Sequence, residues 1–305
     1  MKWIARLVAV LTFAVTESWG VGLIATDRWE WSQWLAWIPT QVTIAFIFIA
    51  LVCSTIAKFK RLMYIFTAML LATSAWFVFV ENAFFIERNK IDGIRVVSWT
   101  MSHPKEKVSK ESADKLIAYA GDITILTHGW HVRGEPSIKE WIGPNNRRVV
   151  SGPFTLLTKL PVLEARTLVA SDGIYISMFT VDAIDLIGKE ITVWAIDLPS
   201  TITMPRMETA RRALRLLNST EVQEPDIVLG DFNMTRNAYS IKTMFPHLTD
   251  ASNSAGVGLL ASFPASYPLY HIDHILHGES VACTSYQLVN PRIGRHCVQI
   301  AEFIP

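Results

Sequence analysis

The sequence predicts an N-terminal membrane segment of three helices followed by an α+β domain, with mixed β-sheets packed on each other beneath outer helices. Three observations carry that expectation. Half of the 305 residues are hydrophobic, mean hydropathy is +0.28, and the apolar excess lies before about residue 90. Beyond it, short β-type runs are joined by connections mostly too short for a crossover helix. No repeat or low-complexity linker divides residues 91–305, which therefore read as one domain after an anchor of residues 1–90. Formal net charge is +1, so bulk charge supplies no attraction to a polyanion and no specific nucleic-acid partner is expected.

The anchor contains three apolar stretches, Trp3–Thr26, Trp34–Ala57 and Leu62–Ile86. Each reaches the about 20 residues that cross a bilayer. A cleaved signal peptide fits the first poorly, because its apolar part is long and two more stretches follow. Lys2 and Arg6 precede the first stretch and Lys58, Lys60 and Arg61 fill the second loop. The first loop holds Asp27 and Glu30 against Arg28 alone. The positive-inside rule then puts the N-terminus in the cytoplasm and, after three crossings, residues 91–305 outside it. Trp29, Trp31, Trp34 and Trp37 cluster at the outer boundary as an interfacial belt would. Glu17 falls inside the first stretch. A carboxylate there is costly, so it either contacts an integral-membrane partner or reaches water at the outer surface. The lipid bilayer and such partners, met through the helices and the Trp-rich boundary, are the expected surroundings.

In the domain, Ile94–Trp99 reads as a strand, and Ser109–Ala120 as a helix with Ala113, Leu116, Ile117 and Ala120 on one face. Strand patterns follow at Asp122–Thr127, Phe154–Val162, Ile174–Val181 and Ile191–Ile196. A helix is predicted over Arg206–Leu217. The last strands are His271–Leu276, Val281–Val289 and His296–Phe303. Cys53 sits in an apolar run as a packing residue. Cys283 and Cys297 flank the turn-rich Asn290–Gly294, so pairing of the flanking runs as a hairpin would bring the two thiols close, and a disulfide is open to them in an oxidising compartment.

The most informative stretch is Asp226–Asn233, a β-type run ending at Gly230. Alternation puts Asp231 and Asn233 on one face of the strand end, a way to hold a phosphate, a metal or an attacking water. The competing reading is turn chemistry after a buried strand.

The order of motifs resembles the endonuclease/exonuclease/phosphatase superfamily, with its DNase I-like four-layer α/β sandwich. Gly230-Asp231-Phe232-Asn233 matches the family's GDFN, and Ile272-Asp273-His274-Ile275 matches a late "iDhi" strand. Gly152–Pro161 matches a "g-x-ailSr-xP" strand more weakly. The resemblance covers about residues 93–305. It implies metal-assisted phosphoester hydrolysis, with Asp231 and Asn233 orienting water and phosphate and an Asp273–His296 couple polarising the phosphate. It also implies a bacterial architecture, a multi-pass inner-membrane anchor carrying a periplasmic domain.

Four positions depart from the family. Thr100 stands for an Asn, His128 for the Glu that is the principal metal ligand, Asp197 for a His, and Arg295 for the Asp of the terminal "SDH". The changes at 128 and 295 remove two negative charges and add a guanidinium. Mg²⁺ wants oxygen ligands, and neither imidazole nor guanidinium supplies one. The expectation is therefore no cofactor, with Mg²⁺ only if the family activity survives. The leading functional reading is a pseudoenzyme, a structural or interaction subunit of a membrane complex. An active phosphodiesterase or phosphatase acting outside the cytoplasm is one alternative, and a non-catalytic phosphate or lipid head-group binder is another.

Overall fold

The computed structural model describes residues 2–88, 93–101, 109–143, 148–218 and 222–305. Helix α1 (Lys2–Ala25) takes up the first predicted span. The second is broken. Its start folds as a separate short helix, α2 (Glu30–Ala36), bent by 66° from α3 (Thr40–Ile56). Pro39 lies at the break in extended conformation, where it cannot continue a helix into α3. Helix α4 (Lys60–Trp76) runs on as a π-helical turn, Phe77–Glu81. Among the described residues two helices, Lys2–Ala25 and Lys60–Glu81, are thus long and apolar enough to cross a membrane, and the bent pair makes a third if it counts as one span. Ala9, Ile47, Ala50 and Phe66 pack where α1, α3 and α4 meet.

In the domain, β1 (Ile94–Thr100), β2 (Ile123–Thr127), β3 (Val149–Ser151) and β4 (Phe154–Thr158) belong to one sheet. The strands β5 (Val162–Ser171), β6 (Ile174–Ala183), β7 (Lys189–Asp197), β8 (Ile227–Asp231) and β9 (Thr249–Asp250) belong to the other. Strands β10 (Gly256–Val257), β12 (Ala282–Val289) and β13 (Val298–Ile304) return to the first, and β11 (Asp273–His277) to the second. The orders are β10-β12-β13-β1-β2-β4-β3 and β5-β6-β7-β8-β11-β9. Both sheets are mixed, since β1 pairs parallel to β2 and β7 parallel to β8 while their other neighbours run antiparallel.

Strand alternation builds the layers. Val96, Ile125, Phe179, Val193 and Leu229 point between the sheets. Their neighbours Val97 and Leu126 pack outward on α5 (Ser109–Tyr119) and α6 (Pro136–Ile142). On the far side Trp194 and Val228 pack outward against α8 (Arg206–Leu217) and α9 (Tyr239–Met244). A single turn, α7 (Ile184–Ile187), joins β6 to β7.

Two local expectations are corrected. The predicted strand Phe154–Val162 ends at Thr158, and Val162 opens β5, which has no counterpart among the predicted strands because most of its side chains are exposed and show no apolar stripe. The hairpin of β12 and β13 does form, but its register pairs Cys283 with Phe303 and Val289 with Val298. Cys283 therefore lies at the far end of the hairpin from Cys297, and both thiols are free. A disulfide between them would need the hairpin to slip by several residues, breaking the observed strand pairing.

The N-terminal helical segment grips the domain by capping its helices. Neither α8 nor α9 has a side-chain cap from its own preceding residue. Asp27, just beyond α1, supplies one for α9: its Oδ1 accepts from Tyr239 N at 2.6 Å and Ser240 N at 3.2 Å, and its Oδ2 from the Ser240 hydroxyl. Gln33 on α2 does the same for α8, accepting from Arg206 N at 2.7 Å while its amide donates to Ile202 O at 2.9 Å. Asp27→Ala strands three buried donors, and the domain should lose about 2 kcal/mol. Hydrogen exchange of the 239–244 amides in the detergent-solubilised chain should accelerate accordingly; unchanged protection would refute the capping role.

Candidate functional site

The register of the second sheet assembles the site. Parallel pairing sets Asp197 of β7 beside Asp231 of β8, and antiparallel pairing sets Asp273 of β11 on the other side of Asp231. Three carboxylates thus end three neighbouring strands in one row. Thr100, ending β1, reaches across from the other sheet, its hydroxyl donating to Asp273 Oδ1 at 2.7 Å. His296, two residues before β13, places Nδ1 2.9 Å from Asp273 Oδ2 and Nε2 4.0 Å from Asp231 Oδ2. Asn233 turns at φ 50°, its N–H donating to Asp231 Oδ1 at 3.1 Å and its Nδ2 to Leu198 O at 2.9 Å. That is the local Asx geometry of a turn, and it also fixes the Asp231 carboxyl. Beneath the turn, buried His274 contacts Asp250 at 2.7 Å and Met234 O at 2.9 Å, which pins the loop after β8.

The replaced positions lie on the same rim. His128 Nε2 is 3.0 Å from Asp197 Oδ2, with Trp130 against its ring. The Arg295 guanidinium lies over Phe263, 5.3 Å from the ring centroid, and forms no ion pair among the described residues. All eight predicted positions, Thr100, His128, Asp197, Asp231, Asn233, Asp273, Arg295 and His296, are brought to this one place; Asp273 stands behind Thr100 and His296, and the other seven line a cavity of about 700 Å³. Glu17 is elsewhere, exposed on α1.

Electrostatics divides the three carboxyls. Burial and the adjacent Asp273 charge hold the Asp231 carboxyl well above the usual range, towards its neutral form. Burial pushes Asp273 the same way, but the His296 charge and its hydrogen bond outweigh it and keep Asp273 ionised. Burial opposes the His296 charge in turn; the Asp273 carboxylate overcomes it and lifts the imidazole to about 9. The centre is an Asp273–imidazolium pair facing an Asp231 carboxyl biased towards its neutral form, with Arg295 as a further cation on the rim.

Sequence reading missed the contributions of the anchor. Trp34 and Trp37, expected at an interfacial belt and partner-facing boundary, line this cavity, and Trp37 packs on Tyr270 at 5.1 Å. It also missed Arg206, which reads as the first residue of an amphipathic helix. Arg206 is 1% exposed and donates to Pro199 O at 2.7 Å. Burial lowers its pKa, against the pull of Asp231 and Asp27. No local pattern marks either contribution, because both arise from contacts between residues far apart in the chain.

No family model and no curated protein matches the chain. Solved structures do. A mannosyl-6-phosphatase of Bacteroides thetaiotaomicron superposes with TM-score 0.53 at 15% identity, over 70% of this chain and 100% of that one. An endonuclease/exonuclease/phosphatase family protein of the same organism gives 0.52 at 15%, over 69% and 97%. The domain has the endonuclease/exonuclease/phosphatase fold. A third protein of that family, from Beutenbergia cavernae, gives 0.50 at 14%, over 70% of this chain and 72% of its own.

The endonuclease/exonuclease/phosphatase fold implies a divalent ion, and the residues here do not fit one. On the side where the family pattern has Asn, Glu and Asp, Thr100 is committed to Asp273, His128 to Asp197, and Arg295 is a cation. Asp231, Asp273 and His296 do bring ligand atoms within 4.8 Å of one another. Asp273, however, has one oxygen on Thr100 and the other on His296. Of these three residues that leaves one Asp231 oxygen and one imidazole nitrogen, a single oxygen for Mg²⁺ and fewer than the three or four protein ligands of Zn²⁺.

Proposed function

We propose that this chain is a membrane-anchored phosphoesterase-fold protein that holds a phosphate-bearing group without metal-assisted hydrolysis. It would act as an interaction subunit of a membrane assembly. The observation that carries the reading is the pair His128 and Arg295 where the fold's metal-side carboxylates would stand. Arg295 and the His296 imidazolium offer cationic donors to a phosphate, and the protonated form of Asp231, which burial favours, would donate to a phosphoryl oxygen. The basic residues support the topology. Arg6 stacks on Phe59 and shares one surface with Lys58, Lys60 and Arg61. That end of α1 is roughly 36 Å from the end that docks on the domain. The positive-inside rule then sets this end in the cytoplasm and the domain outside, which in a bacterial cell is the periplasmic side of the inner membrane. Glu17, exposed at mid-span, supports contact with a partner helix.

The test is turnover of a generic phosphodiester and phosphomonoester by the purified full chain, with Mg²⁺ and with EDTA. No turnover is expected in either, with substoichiometric divalent metal in the protein. The double variant His128→Glu, Arg295→Asp should gain a Mg²⁺-dependent rise in Tm. Mg²⁺-dependent turnover by the unaltered chain that is lost in Asp231→Ala would overturn the reading. The assembled Asp231–His296–Asp273 row favours a second reading, hydrolysis with Arg295 taking the place of an ion. Turnover insensitive to EDTA and abolished by Arg295→Ala would establish it instead.

A further inference from the structure

A second cavity, of about 590 Å³, lies between the helix ends and the domain. Its walls are the last turns of α1 (Trp19, Gly20, Leu23), the break between α2 and α3, the end of α4 (Trp76, Val80) and a domain side that is mixed, with Leu260 and Leu269 beside Arg236. Most of this lining is apolar. Two of its residues, Ile24 and Val80, are 85% and 53% exposed, so its rim is continuous with the surface the anchor would present to lipid. The phosphate-site cavity is its neighbour, and the two share Trp37 and Tyr270, whose rings touch.

Trp37 also fixes the depth of this arrangement. It stands three residues before Thr40, where the apolar α3 begins, so at most about 10 Å of chain separates the site wall from the start of that helix. Trp34, half-exposed and lining the phosphate site, projects from α2, which ends just before Trp37. An apolar cleft at the level of the helix ends thus adjoins the cavity that Arg295 and His296 line. That is the layout of a lipid, whose acyl chains end at a phosphate.

The geometry points to a membrane phospholipid as the ligand: its phosphodiester in the Arg295–His296 cavity and an acyl chain in the cleft beside Gly20, with Trp37 and Tyr270 at the junction. This rests on the reading of the first cavity as a phosphate site. Recognition divides into a charge-dependent end and an apolar end, and the two can be altered separately. Gly20 provides the means, because a Cβ built there meets nothing within 4 Å. A large side chain at 20 fills the cleft without striking backbone, and replacing a helical glycine favours the helix.

The experiment uses the full chain in detergent, titrated with phosphatidylglycerol or with its water-soluble deacylated head group, glycerophosphoglycerol, and followed by the ligand-induced rise in Tm. The lipid should bind at least about tenfold more tightly than the head group. Arg295→Ala should weaken both probes. Gly20→Phe should remove the lipid's advantage and leave head-group binding unchanged, which also shows that the variant is folded. Equal affinity for the two probes, or full lipid affinity in Gly20→Phe, overturns the proposal and leaves the cleft to a helix of a partner protein. Binding of neither probe overturns the proposal together with the phosphate-site reading beneath it, so the two failures are told apart.

Discussion

Gly230→Ala should severely destabilise the domain, although it adds one methyl group. Gly230 has φ +135°, a region that L side chains rarely adopt. A Cβ there would also stand 2.0 Å from the carbonyl oxygen of Ile196, on the parallel neighbour β7. Backbone cannot yield as a side-chain end can. Backbone strain of about 1–3 kcal/mol and overpacking of about 1–3 kcal/mol combine to about 4 kcal/mol. A domain of this size has only about 5–15 kcal/mol in total. Because β7 and β8 are central strands, the damage spreads to Asp197 and Asp231 at their ends. The expected result is a chain recovered from the membrane in low yield, cleaved by protease at concentrations the unaltered chain withstands. A Gly230→Ala protein with unchanged Tm would sink this account of the GDFN turn.

The second large effect is a loss of stability with rising pH. His296 titrates near its ordinary 6.5 when unfolded and at about 9 in the folded domain. A raised folded value means the native state binds the proton more tightly. The stabilisation is therefore complete below the unfolded value and disappears as pH rises through the folded one. Between about pH 6 and pH 10 the unfolding free energy should fall by about 3 kcal/mol. Asp273→Asn removes the carboxylate that overcomes burial, so the slope should vanish and the His296 titration should move to or below 6.5. Denaturant titrations across the pH range measure the first effect and NMR titration of the ring the second. A flat profile for the unaltered protein would exclude the imidazolium–Asp273 pair. On the acid side His271 works in the opposite sense. Burial, with the His274 charge, lowers it to about 3, so its contribution is lost as pH falls below 6.5.

Much of the domain was legible because its signals are local. The strand patterns at 94–99, 122–127 and 174–181 alternate between two apolar faces, and the helix at Arg206–Leu217 has a continuous apolar stripe. The strand β5 carried no such signal, since an edge strand with solvent on most sides has no buried face to impose one. The site residues were readable where they sit in motifs, as Asp231, Asn233 and Asp273 do, and where they replace a motif residue, as His128 and Arg295 do. The cysteine pair failed for a related reason. Sequence showed two strands flanking a turn, but the hairpin's register depends on which faces of both strands are buried.

The sequence by itself determined the class of fold and the presence of N-terminal helices long and apolar enough to cross a membrane, both properties of residue type and spacing. Only the tertiary structure decided that the second apolar stretch breaks at Pro39, that Asp27 and Gln33 cap helices some 170 to 213 positions away, and that Trp34 and Trp37 wall the cavity. Hydrogen-bond partners and cavity walls are relations between distant segments. No run of neighbouring residues encodes them, and they exist only once burial has brought those segments together.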